Sequence, residues 1–225
     1  MSERLTRVLA FDCSGASCSA AMLIDGSVVA ERFAAMERGQ AEALLPMIRT
    51  IMAEARVDWI ELDAIATTVG PGSFTGVRLG LSAARGLALA AGKPLAALTS
   101  FEAIAAGLEP ADRPVAIVID SRRGPVFAQR FDGTLRPTGE PAQLDPDSLA
   151  DWLGAGAWHI AGDGVPNLAG QAFAPGIELD AAPRRIRAAD MARLVADLGS
   201  RSIDRLQAHP LYLRAPDVTQ LKPKP

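Results

Sequence analysis

Few residues in this chain are of types and in places that could do chemistry. Two aspartates, Asp12 and Asp120, each end an apolar run, and the stretch Gly70-Pro71-Gly72-Ser73-Phe74-Thr75-Gly76 joins a β-branched run to a long amphipathic segment. A strand-end aspartate can hold a metal-bound water, or it can accept N–H bonds from the turn that follows it. A glycine stretch that opens a helix leaves free backbone N–H groups at the positive end of the helix dipole, where an anion is favoured. The same stretch serves as a tight turn with Ser73 or Thr75 as N-cap. It is not a Walker A loop, because no Gly-Lys-Ser/Thr follows. Asp12, Ser73, Thr75 and Gly76 are the candidate contacts to an anion or nucleotide.

Other chemistries find little support. His159 and His209 are the two histidines and Cys13 and Cys18 the two cysteines, in no C-x-x-C or H-x-x-x-H arrangement, so a zinc site of His and Cys is excluded. No nucleophile stands with an activating histidine, which weakens a peptidase reading. The net charge is −3, and neither half is basic, which disfavours a strongly basic nucleic-acid binder. Arg184-Arg185-Ile186-Arg187 and Lys222-Pro223-Lys224 are the local basic clusters; they could touch RNA phosphates, but read more simply as a solvated loop and a frayed tail. Two thiols beside an apolar strand suit a reducing compartment. The first six residues are charged, and Arg78, Arg85 and Lys93 interrupt the best apolar run, so the expectation is a cytoplasmic protein with no membrane span.

The elements that would position these residues follow from periodicity. Hydrophobic residues make up 49% and charged residues 22%, which places the chain among globular proteins. Strands are expected at 7–12, 18–24, 27–33, 64–69 and 95–98, with Asp25-Gly26 as a hairpin turn. Helices are expected at 41–56, 74–91 and 100–107, with Pro46 kinking the first or marking its start. The run at 115–120 then repeats that at 7–12. Asp12 and Asp120 lie 108 residues apart, and Asp25-Gly26 recurs 107 residues on as Asp132-Gly133. A helix near 146–153, a strand at 158–161 and a helix near 188–198 follow. Two βββαβα units describe an α/β protein with two lobes of a duplicated ribonuclease-H-like fold, each a mixed sheet flanked by helices, as in the actin and hexokinase type of ATPase. The lobes are assigned to 1–107 and 108–214, with 215–225 as a flexible tail.

The segment GPGSFTGVRLG at 70–80, preceded by LDAIATTV, resembles the bacterial TsaB family, as do the opening VLAFDCSGASCSAAM and the closing PLYLR. The resemblance implies a non-catalytic subunit of the machinery that forms threonylcarbamoyladenosine in tRNAs reading codons that begin with A. It implies direct pairing with the homologous catalytic subunit TsaD, the ATPase TsaE in the complex and the synthase TsaC functionally. ATP and a metal would be used by those partners, and tRNA met only through the complex. Catalytic relatives place a metal-binding His-x-x-x-His pair where this chain has Ser100 and Ile104, and neither side chain replaces an imidazole. Where they grip nucleotide from the second lobe, this chain has Ala161-Gly162-Asp163-Gly164-Val165. A carboxylate about 4 Å from phosphate would be repelled by roughly 4 kcal/mol at an effective dielectric of about 20. Gln40 stands where many members have a histidine, so no role for that imidazole is carried over. The alternative is a stand-alone kinase-like ATPase using the cleft between lobes.

A partner subunit needs surface that its own fold leaves open. On a helical wheel, Gly76, Leu79, Gly80, Ala83 and Leu87 form the face expected against the sheet. Phe74, Arg78, Leu81, Arg85 and Leu89 form a face where arginines alternate with large apolar residues, a composition suited to an interface. The apolar arc of the first helix is ~160° wide, beyond the ~100° of one core contact, and leaves Leu45 and Met52 at its edges. These seven residues are the expected partner interface. The alternative is cover by the second lobe or the C-terminal segment. Without its partner the face could form a homodimer.

Overall fold

The computed structural model describes residues 5–199 and 208–213. The Lys222-Pro223-Lys224 cluster, the 215–225 tail, Arg214 of the closing motif and the first four residues lie outside them.

The first half opens with an antiparallel meander, β1 (Arg7–Asp12), β2 (Ser17–Ile24) and β3 (Ser27–Ala35). Asp25 and Gly26 both take positive φ, 48° and 82°, the type I′ geometry whose twist suits a two-residue hairpin. α1 (Gln40–Ala55), β4 (Ala64–Thr68), α2 (Phe74–Ala91), β5 (Leu95–Leu98) and α3 (Ser100–Ala105) follow. α1 runs unbroken through Pro46. The second half repeats the plan with β6 (Val115–Asp120), β7 (Val126–Phe131), β8 (Ala142–Leu144), α4 (Leu149–Leu153), β9 (Trp158–Ala161) and β10 (Ile177–Leu179), followed by α5 (Ala188–Leu198). The sheets have matching orders, β3-β2-β1-β4-β5 and β10-β9-β6-β7-β8, each with three antiparallel strands beside a parallel extension. The expected duplication is present.

Burial on both faces explains why the central strands read as unbroken apolar runs. In β1, Leu9 and Phe11 face the outer layer, where they meet Leu44, Ile48 and Ile51 of α1 and Ala84 and Ala88 of α2. Val8 and Ala10 face the opposite way, into a cluster that holds Met191, Ala192 and Val195 of α5, Phe101 and Ile104 of α3, and Ile117 and Phe131 of the second sheet. The outer face of that sheet carries Ala116 and Val118 against Leu149 and Leu153 of α4. The layers therefore run α1 and α2, first sheet, α3 and α5, second sheet, α4. α5, which a division into 1–107 and 108–214 gives to the second lobe, packs on β1 and β2 and completes the core of the first.

The register of the repeat corrects one expectation. Val8 lies between Leu23 and Ala64, and Val115 between Phe131 and His159. Val8 thus corresponds to Val115, 107 positions on, while Leu23 corresponds to Phe131, 108 positions on. Asp12 is the counterpart of Ile119, and Asp120 stands one place further along its strand. A shift of one residue turns a side chain to the other face of a sheet. Asp12 shares the inner face with Val8 and Ala10, whereas Asp120 shares the outer one with Ala116 and Val118. The two aspartates are not an equivalent pair facing one cleft.

Candidate functional site

Asp12 is sealed at 1% exposure. The Thr68 hydroxyl donates to its Oδ1 at 2.5 Å and the Ser14 N–H to its Oδ2 at 3.2 Å. Burial pushes its carboxyl above the ordinary carboxylate range, against the opposing pull of the bonds from Thr68 and Ser14. Asp120 accepts from the backbone N–H of Arg122 at 2.7 Å and from Asn167 Nδ2 at 2.9 Å, both on Oδ1. Both aspartates fix the turns that follow their strands, the commoner use of a carboxylate there.

The glycine segment is built for close approach. Ser73 caps α2, its hydroxyl accepting from Gly76 N–H at 3.0 Å, while its own N–H donates to Ser14 O at 2.7 Å. A Cβ on Gly72 would stand 2.6 Å from Ser14 O, and one on Gly76 2.2 Å from Cys13 O. These glycines let the start of α2 lie directly on the turn after β1. Thr75 is exposed and does not cap. The expectation that Asp12, Ser73, Thr75 and Gly76 converge on an anion is corrected: Asp12 is enclosed, and the Gly76 N–H is satisfied by Ser73.

Between the lobes, Ser14, Gly72, Ser73, Ser100, Ile104 and Asp163 border a cavity of about 20 Å³, room for about one water. Nucleotide-sized pockets measure several hundred. Ser100 and Ile104 therefore do reach the cleft, with Ser100 Oγ 3.5 Å from Ser14 Oγ. Asp163 enters from the second lobe on a turn held against β6. A Cβ on Gly162 would lie 2.0 Å from Val118 O, and one on Gly164 2.9 Å from Ile119 C. Its Oδ1 accepts from Asp120 N–H at 3.0 Å, and its Oδ2 stands 3.7 Å from where a Gly15 side chain would begin. Burial is the main cause that pushes the Asp163 carboxyl up to about 6; the bond from the Asp120 N–H opposes it, the Asp120 carboxylate adds to it, and Arg122 and Arg185 oppose. Gln40 donates to Gly15 O at 3.3 Å and Met36 O at 3.1 Å, tying the start of α1 to the same turn. Among the described residues no group of three or more His, Cys, Asp or Glu could hold a metal ion.

The remaining nucleophiles are quiet. Both cysteines are buried and free; burial, with Asp12 nearby, pushes the Cys13 thiol far up and Cys18 to about 11, which leaves no reactive thiolate. His159 Nε2 lies 2.8 Å from Asp180 Oδ1, a structural pairing. Among the described residues no helix is long and apolar enough to cross a membrane.

On the outer helices, Leu45 is 49% exposed, Phe74 47% and Leu89 85%, whereas Leu81 is 1% and Met52 5% exposed. Met52 is covered within the α1 cluster. Leu81 packs with Val69, Ala97 and Leu211, so both leave the list of open interface residues. The cover comes from residues 208–213, which lie along α2. Leu211 N–H donates to Val69 O at 2.7 Å, Arg85 donates to Ala208 O at 2.6 Å and Arg78 to the Tyr212 hydroxyl at 2.9 Å. Phe74 and Tyr212 stack at 5.8 Å, with the Arg78 guanidinium 3.4 Å from the Phe74 ring centre. The C-terminal segment thus claims part of the face expected for a partner.

The matching sheets and the cleft between them define a protein of the doubled ribonuclease-H-like class, the architecture of actin and hexokinase-type ATPases. Residues 28–172 match the family described as TsaD, tRNA N6-adenosine threonylcarbamoyltransferase. The tRNA threonylcarbamoyladenosine biosynthesis protein TsaB of Escherichia coli (strain K12) is 32% identical over 167 residues, 70% of this chain and 71% of that protein. The TsaB of Bacillus subtilis (strain 168) is 30% identical over 149 residues, 65% of this chain and 64% of that one. A Pseudomonas aeruginosa crystal structure, described as an uncharacterized protein with similarity to peptidase YEAZ, superposes with a TM-score of 0.81. It is 32% identical, over 93% of this chain and 100% of that one. The chain belongs to the TsaB family.

Proposed function

We propose that the protein is a non-catalytic subunit of the bacterial machinery that forms threonylcarbamoyladenosine in tRNA, and that it binds and supports a TsaD-type catalytic subunit. The observation that carries this reading is the cleft. Its cavity of about 20 Å³ is bordered by Ser100 and Ile104, which do not replace a pair of imidazole ligands, and by Asp163, whose carboxylate would repel phosphate. The exposed Leu45, Phe74 and Leu89 support an outer-helix contact with the partner. In this reading TsaE joins the complex, TsaC supplies its intermediate, and ATP and metal are used by those proteins. tRNA is met through the complex, in the cytoplasm, and the same helices support a homodimer when the chain is alone.

Reconstituting tRNA modification with TsaC, TsaD, TsaE and ATP, with and without this chain, tests the function. Modification should require the chain, and the chain alone should not turn over ATP. Full modification without it would remove the protein from the pathway, and turnover by it alone would establish the kinase-like alternative. The contact is tested by Leu45→Glu with Leu89→Glu, which should abolish co-purification with TsaD while the melting temperature holds. Undiminished binding would sink the outer-helix assignment.

A further inference from the structure

Where the loop after β10 meets the edge strand β3, a surface groove of about 430 Å³ is lined by Phe33, Asp180, Pro183, Arg184, Arg185 and Arg187. We propose that this groove, which meets the cleft cavity at Arg185, binds the phosphate groups of a nucleoside di- or triphosphate, with Arg185 as the central donor and Phe33 beside the base.

The lining is cationic in a chain of net charge −3, and its one carboxylate is already satisfied. Asp180 Oδ1 meets His159 Nε2 at 2.8 Å, and its Oδ2 accepts from Arg184 Nε at 2.9 Å. Arg184 also donates from Nη1 to Gly107 O at 3.0 Å, so its guanidinium is held in one plane. Arg187 pairs with Glu31 at 2.9 Å and stands 5.1 Å over the Phe33 ring. Arg185 makes no hydrogen bond or ion pair among the described residues. Arg185 lines the groove and the cleft cavity alike, and the charge acting on it comes from Asp163 on the cleft side. The loop itself is fixed, with Asp180 N–H donating to Ile160 O at 2.9 Å and Arg184 N–H to Gly162 O at 3.2 Å.

Such preset guanidinium forks match phosphate oxygens in geometry as well as charge. The volume falls within the range of small-molecule sites. Phe33 keeps 36% of its surface open at the rim, an apolar flank for a planar base. One patch of this size, in an acidic chain, fits a single nucleotide better than a track along a polynucleotide.

Calorimetric titration of the full chain with ATP, ADP and pyrophosphate tests the site, alongside Arg185→Gln and Phe33→Ala, each checked for an unchanged melt. Arg185→Gln should weaken all three ligands about tenfold or more. Phe33→Ala should weaken ATP and ADP and leave pyrophosphate within about twofold. No binding at millimolar ligand, or affinities untouched by Arg185→Gln, would overturn the proposal. So would binding of a single-stranded RNA oligonucleotide with ATP and ADP ignored, and none of these results bears on TsaD binding.

Discussion

Asp163→Asn is expected to stabilise the protein above neutral pH. In the folded chain the carboxyl titrates at about 6 against 3.8 when unperturbed, chiefly because burial disfavours its charge. A folded value above the unfolded one means that the native state binds the proton more tightly. Stability from this group is therefore present at low pH and lost as pH rises from about 4 through 6. At about 1.36 kcal/mol per unit, holding the ionised form costs on the order of 3 kcal/mol at pH 8. Asparagine keeps an oxygen for the Asp120 N–H and carries no charge, so the variant should recover much of that. In a protein of this size the gain is a rise in melting temperature of about 6–12 °C. At pH 5 the linkage falls to about half, and the gap between variant and wild type should shrink with it. Melts of both proteins at pH 8 and pH 5 measure the difference and cancel the other titrating groups. A destabilised variant at pH 8, or an equal gap at the two pH values, would refute the assignment of Asp163 as a buried charge at the lobe junction.

Gly76→Ala would place a Cβ 2.2 Å from Cys13 O and 2.6 Å from Ser73 Oγ, lifting α2 from the turn; a loss of about 2–3 kcal/mol in urea unfolding is expected. Leu81→Ala should cost about 2–5 kcal/mol by the same measure, because the residue is enclosed beneath Leu211 in the isolated chain. Asp63 accepts from Thr6 N–H at 2.7 Å and Arg7 N–H at 2.8 Å. Burial alone raises its pKa, but these bonds outweigh it and hold the carboxyl low. The stability it contributes is present above the ordinary carboxylate pKa and lost as pH falls through the folded value. Asp63→Asn should thus weaken the protein at pH 7, and its deficit in urea titrations should close in strong acid.

Element types and the duplication were legible because strands buried on both faces and helices with long apolar stripes leave distinct periods in the residues. The facing of Asp120 was not. Its apparent match to Asp12 hides a one-residue difference that arises where β6 turns into β7, and only hydrogen-bonded register shows it. Leu81 lies about 40° from Arg85 and about 60° from Arg78 on a wheel, a border position whose burial is decided by Leu211, far along the chain. Gly72 and Gly76 read equally well as a phosphate cradle and as packing glycines until the atoms they approach were known. Ser100 and Ile104 were placed at the cleft from the resemblance alone, and the structure puts them there. The basic cluster at Arg184 was plain in the sequence, but the groove also needs Phe33, some 150 residues earlier.

The return of α5 to the first sheet sets an order of events during synthesis. A ribosome that has released β1 to α3 has made every strand of the first sheet, yet Val8, Ala10, Ala21 and Leu23 still lack the helix that covers them. That cover, α5, follows every strand of the second sheet. The nascent first sheet must wait, with one apolar face open, until the second sheet and α5 have left the exit tunnel, the state in which chains are most prone to aggregate. The two lobes should consequently mature together once α5 emerges, and a chain cut before Ala188 should be insoluble even though both sheets are present.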